Sequence, residues 1–138
     1  MNNAKGLSLV ALMIIIAVMS LLLRIVVEGL IKMNIAQNES GASATLKLIS
    51  TALENYAKDN KGVFPASIAV LTKGNPAYLD NDYISESPLK GYNYICPRLE
   101  PSGYNCSALP LKCKRSGAVI YSISTGGSLL AEDCAKRE

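Results

Sequence analysis

Apolar positions along the chain follow three different rhythms. From Leu7 to Leu23 they are unbroken: seventeen residues carry no charge, and Ser8 and Ser20 are the only polar side chains. As an α-helix this run spans about 26 Å, close to the shortest length that crosses a bilayer core of about 30 Å. A core helix would keep a polar stripe, and this run has none. A cleaved export signal needs a small-x-small site just downstream, but Arg24-Ile25-Val26-Val27-Glu28 follows instead. The pattern therefore predicts a helix that stays in a membrane and continues past it. Apolar residues go on to Ile31, and Arg24 and Glu28 are spaced four apart, where they can pair on one helix face. From Ala44 the rhythm becomes amphipathic. Leu48, Ile49, Ala52, Leu53, Tyr56 and Ala57 follow i, i+3, i+4 spacing, with Lys47, Thr51, Glu54, Asn55, Lys58 and Asp59 on the other side. Asn38-Glu39-Ser40-Gly41 is the weak point, where a bend or break is expected. Asn60-Lys61-Gly62 is a stop signal, with Gly62 placed for the left-handed C-terminal position.

Beyond Gly62 the period shortens. A helix is expected from Pro65 to about Leu71, with Ile68 and Leu71 facing inward. Gly74-Asn75-Pro76 reads as a loop, and Tyr78-Leu79 as a contact back to the long helix. Alternation over Gly91–Cys96 predicts a strand, paired across Glu100-Pro101-Ser102 with Gly103–Leu109. Ala118–Ser124 and Ser128–Ala131, around Gly126-Gly127, give two more. Short connections imply an antiparallel meander. The expected class is α+β, with a long N-terminal helix, first membrane-spanning and then amphipathic, packed on a small antiparallel sheet. Tyr92, Tyr94, Tyr104 and Tyr121 could form a binding surface, although packing of the sheet on the helix explains them as well.

Composition then narrows the chemistry. The 138 residues include no His and no Trp, and the net charge is +3 without a basic stripe. The commonest acid/base group and metal ligand is thus missing, and nucleic-acid binding has little support. No nucleophile–base set can be named, so catalysis and a cofactor are not expected. Asp80, Asp82 and Glu86 form an oxygen-rich run that is a weak calcium candidate, without the spacing or turn glycine of an EF-hand. The four cysteines, Cys96, Cys106, Cys113 and Cys134, contain no C-x-x-C pair. Two disulfides in an oxidising compartment are the expected use, stapling a head too small for a large core. Three pairings are possible. Strand parity places Cys96 opposite Cys106, which leaves Cys113 for Cys134.

Lys5-Gly6 followed by Leu7-Ser8-Leu9-Val10-Ala11-Leu12-Met13-Ile14-Ile15-Ile16-Ala17 resembles the N-terminus of the type IV pilin and pseudopilin family. Tyr56, Asp59, Asn60, Gly62 and Phe64-Pro65 are similar to the helix end of the major pseudopilin of type II secretion systems. Pro88 to Tyr94 is similar to that family's entry into the sheet. The resemblance implies a leader over 1–6, a transmembrane helix over 7–31, its amphipathic continuation over 32–62 and a globular head over 63–138. It implies cleavage by a prepilin peptidase between Gly6 and Leu7, N-methylation of Leu7, and a filament of like or related subunits built through the apolar helix. The chain would sit in the inner membrane with a cytoplasmic N-terminus and a periplasmic head. In the family a glutamate usually stands five residues after the glycine and is thought to meet a neighbouring subunit's N-terminal amine. Here Ala11 holds that place. That departure favours a minor, tip-located or initiating subunit, whereas the helix-end resemblance is to the major one. The expected role is a pseudopilin-like subunit in protein secretion. The alternatives are a type IV pilus subunit, or a membrane-anchored binding domain that never polymerises.

Overall fold

The computed structural model describes residues 8–137. Six principal elements follow one another: α1 (Leu9–Asp59), α2 (Ala69–Thr72), β1 (Tyr92–Glu100), β2 (Gly103–Pro110), β3 (Val119–Ser124) and β4 (Ser128–Asp133), with a closing 3-10 turn at Cys134–Arg137. The chain is α+β, and it divides into two compact units, Met1–Met33 and Asn34–Glu138.

In the first unit the helix presents apolar side chains on every side. Leu9, Val10, Met13, Ile16, Leu21, Leu23, Val26 and Leu30 are all exposed, and no part of the most apolar stretch of α1 is buried within the protein. By length and composition this helix is able to cross a membrane.

In the second unit α1 buries one face. Ala42, Leu46, Ile49, Ser50, Leu53 and Ala57 lie on it, spaced by three, four or seven residues as a single helix stripe requires. The stripe differs from the expected one: Leu48 is half-exposed and Tyr56 partly buried, while Leu46 and Ser50 are buried. Leu48 lies about 100° around the helix from Ile49, on the flank occupied by Lys47 and Thr51. A second difference concerns Asn38–Gly41, which stays helical. Its polar side chains are spent on the sheet instead of on the local backbone. Asn38 Nδ2 donates to the Ser116 carbonyl at 2.9 Å, and Glu39 Oε1 accepts the Ala118 amide at 2.8 Å. Gly41 has open space around its Cα.

α1 ends as a Schellman-type cap. The Gly62 amide donates to the Ala57 carbonyl at 2.7 Å, so the left-handed C′ residue is Lys61, φ 58°, one place before the glycine expected there. Gly62 follows with φ 83°. The loop then returns to the sheet: the Phe64 amide bonds the Pro101 carbonyl at 3.1 Å. The next helix is shorter and later than the expected Pro65–Leu71, but Ile68 and Leu71 both point into the core. Tyr78 packs edge-on against Tyr56 at 5.5 Å and donates to Asp59 at 2.7 Å, while Leu79 is buried.

The sheet is a four-stranded antiparallel meander in the order β1-β2-β3-β4. Tyr92 pairs with Pro110 and Ile95 with Ser107, and the register then slips by one residue before Arg98 pairs with Asn105. Pro97 sits in that slip. It has no amide to give to a ladder, and an edge strand at a bulge tolerates it. Parity decides the faces. Tyr92, Tyr94, Tyr104, Cys106, Ala108 and Ile123 belong to the core with the helix stripe, and Tyr121 packs against it. Three of the four tyrosines offered as a binding surface are therefore buried in the helix–sheet core.

Candidate functional site

The residues set apart by sequence fall into four groups. The first, Gly6 and Leu7 with the cleavage between them, lies outside the described residues. Ala11 is the next marked position. It is helical and half-exposed, on a helix whose neighbouring Val10, Leu12 and Met13 are exposed. Its methyl group leaves the apolar surface around it without a carboxylate.

Arg24 and Glu28 form the second group. Their side chains flank Ser20, Leu23 and Val27 around one shallow surface depression. They do not pair within the chain: the ion pairs among the described residues are Arg98–Glu100 at 3.4 Å and Arg137–Glu132 at 3.8 Å. The order explains this in part. A cation placed N-terminal to its anion is the weaker orientation of an i, i+4 pair. Two opposite charges are thus left facing outward from an otherwise apolar helix.

The third group is the acidic run. Asp82 turns inward on its own loop, where one carboxylate oxygen accepts the Ile84 and Ser85 amides at 3.2 and 3.1 Å and the other accepts the Ser85 hydroxyl at 2.8 Å. Asp80 accepts the Tyr83 hydroxyl at 2.9 Å. Among the described residues no three His, Cys, Asp or Glu side chains come together as a metal would need. Asp80 and Asp82 are thus engaged in hydrogen bonds within their own turn. Burial and the Asp80 carboxylate both raise the Tyr83 hydroxyl above the usual tyrosine range.

The cysteines are the fourth group. Cys96 is bonded to Cys106, with Cα atoms 4.0 Å apart, and Cys113 to Cys134, with Cα atoms 5.8 Å apart. The first joins the facing strands β1 and β2 within the register slip, between the Ile95–Ser107 and Arg98–Asn105 pairs. The second ties the loop before β3 to the residue that ends β4, whose amide also bonds the Ala118 carbonyl at 2.9 Å.

Sequence alone did not single out the residues that fasten helix to sheet. Glu54, read as solvent-facing, accepts the Tyr104 hydroxyl at 2.9 Å and the Gly126 amide at 2.7 Å. The Tyr104 oxygen is also 2.7 Å from the Ser50 hydroxyl. Because an ionised carboxylate only accepts, Tyr104 donates to Glu54 and Ser50 donates to Tyr104. This relay joins α1, β2 and the β3–β4 turn. Burial, with the Glu54 carboxylate alongside, pushes the Tyr104 hydroxyl up to about 12. Tyr92 is raised further still, chiefly by burial, and donates to the Val119 carbonyl at 2.7 Å. The one sequence hint was a glutamate directly after a buried Leu53.

These features fit anchoring and packing: an all-round apolar helix able to enter a bilayer, and a disulfide-stapled head clamped to the continuation of that helix. No family model, curated protein or solved structure matches this chain.

Proposed function

We propose that this chain is a pseudopilin-like filament subunit of a type II secretion system, processed by a prepilin peptidase and assembled through its apolar helix. The observation that carries the reading is the form of α1. It begins as an uncharged helix with apolar side chains on every side and becomes, in the same helix, one face of a small α+β core. Lys5-Gly6 stands directly before it. An apolar helix of this kind moves between lipid and a fibre core without a large change of environment, because packing rather than water exclusion supplies the preference. The chain would be held in the inner membrane with its head in the periplasm, where both disulfides are stable. The role is mechanical, not catalytic.

Ala11 favours a minor or initiating place in the filament, whether of a secretion system or of a type IV pilus. A carboxylate there would cost roughly 2.5–3.5 kcal/mol on insertion, and its absence removes both that cost and a partner for a neighbour's amine. The decisive experiment is mass spectrometry of the mature N-terminus, in cells with and without the peptidase. Loss of Met1–Gly6 and one added methyl on Leu7, both blocked by Gly6→Asp, are expected. A cut beyond residue 20, or an intact Met1 with the peptidase present, refutes the reading.

A further inference from the structure

Between Glu100 and Glu132 the chain carries no acidic residue, and its only charges are Lys112, Lys114 and Arg115. All three are exposed, and none forms an ion pair among the described residues. The loop that carries them is closed by its own hydrogen bonds and a disulfide. The Arg115 and Ser116 amides bond back to the Lys112 carbonyl at 3.1 and 2.9 Å, the Ser116 hydroxyl accepts the Lys112 amide at 2.9 Å, and Cys113 is disulfide-bonded to Cys134.

This loop lies against Asn38, whose side chain holds the Ser116 carbonyl. Lys90 belongs to the same place. The carbonyl of Gly91 accepts the Leu111 amide at 2.9 Å, and a side chain on Gly91 would come within 2.9 Å of Asn38 and 3.0 Å of Ser116. Lys112, Lys114 and Arg115 thus stand on the loop held by Asn38, with Lys90 next to Gly91 beside it, and Lys90 also lines a surface depression with Glu86. One carboxylate on the neighbouring helix turn, Glu39, is already bonded to the Ala118 amide. Leu111 is 56% exposed beside them.

Asn38 is five residues along the chain from Met33, the last residue of the apolar unit. Five residues reach at most about 18 Å even when fully extended. The chain therefore tethers Asn38 within that reach of Met33. A nucleic acid is the weaker partner, because the tyrosines that might stack on bases are in the core. Basic residues beside an exposed leucine, next to a membrane-crossing segment, match anionic lipid headgroups.

We infer that Lys90, Lys112, Lys114 and Arg115, with Leu111, form a docking surface for anionic phospholipid headgroups, resting on the reading that the apolar run lies in a bilayer. Lipid contact would hold the head against the membrane surface before the subunit leaves it.

The test reconstitutes the full chain in phosphatidylcholine vesicles and in vesicles with about one third phosphatidylglycerol. Lysines are labelled with an amine reagent and read by peptide mass spectrometry, with Lys47 and Lys58 as exposed references. Labelling of Lys90, Lys112 and Lys114 should fall about threefold or more in the anionic vesicles. It should recover at about 0.5 M salt, where screening shortens to a few ångströms. In K112Q/R115Q the protection of Lys90 should be lost. Equal labelling in both lipids, with the chain still floating with its vesicles, overturns the docking surface and leaves the membrane reading standing. A chain that floats with neither vesicle overturns both. Protection by an added oligonucleotide or acidic protein, but not by phosphatidylglycerol, assigns the surface to that partner and overturns the proposal.

Discussion

At the residue scale, the Tyr104 hydroxyl bridges Ser50 and Glu54 across the helix–sheet contact. Tyr104→Phe leaves both partners short of a bond in a buried setting, and should cost about 1–3 kcal/mol in a denaturant titration. The same hydroxyl makes stability fall in alkali. Its folded value lies near 12, above the usual tyrosine value of about 10, so the unfolded chain releases the proton first. Stability should be intact below pH about 10 and fall as pH rises towards 12. Tyrosinate absorbance followed alongside unfolding checks this, and Tyr104→Phe should flatten the fall. Gly117 meets a different constraint. A methyl group there would run into the Tyr92 ring and hydroxyl, which is itself buried and bonded to Val119. Gly117→Ala should therefore destabilise by about 1–3 kcal/mol, measured as a drop in Tm. Conservative change at Gly126, which has open space around it, lacks that clash, though its φ of 87° still disfavours a side chain.

At the element scale, the two crosslinks close chain segments of 10 and 21 residues. Loop-closure entropy gives roughly 2.7 and 3.3 kcal/mol respectively, so replacing Cys113 and Cys134 with Ser should lower the denaturation midpoint more than replacing Cys96 and Cys106. The opposite order would mean that native contacts, not chain entropy, set the difference. Most of the sheet was legible from sequence because period-2 alternation and turn residues are local signals. Tyr92, Tyr94, Tyr104 and Cys106 declare a buried face, and Gly126-Gly127 a tight turn. The helix was legible less evenly. Asn38 and Glu39 read as helix breakers, since their side chains often compete for local backbone, yet here distant backbone groups at Ser116 and Ala118 occupy them. Leu48 and Leu46 are both apolar, and only the position of the sheet decides which one is covered. Glu54 escaped notice for the same reason: its partners are 50 and 72 residues away. Arg24 and Glu28 have the spacing of a pair without forming one in the single chain.

At the scale of the whole molecule, the buried hydrophobic residues among those described all lie between Ala42 and Cys134, inside the unit Asn34–Glu138. Residues 34–138 should fold without the apolar segment, with a single cooperative transition in circular dichroism under oxidising conditions; a broad, non-cooperative melt would show that the core needs the rest of the chain. Arg24 and Glu28 form no ion pair with each other within the chain, and on the proposed filament reading another chain supplies the partner. Arg24→Ala and Glu28→Ala should then each impair assembly, with the double variant no worse than either, while fully additive losses would argue against coupling. The attachment of Asn38 and Glu39 to Ser116 and Ala118 also has a mechanical meaning. A pull on the helix near residue 38 enters the head at the start of β3, an interior strand, rather than at a free edge. The Cys113–Cys134 crosslink passes part of that load to the end of β4. The helix near residue 38 is in this way fastened directly to the approach to β3, in addition to the packing of its buried stripe on the sheet.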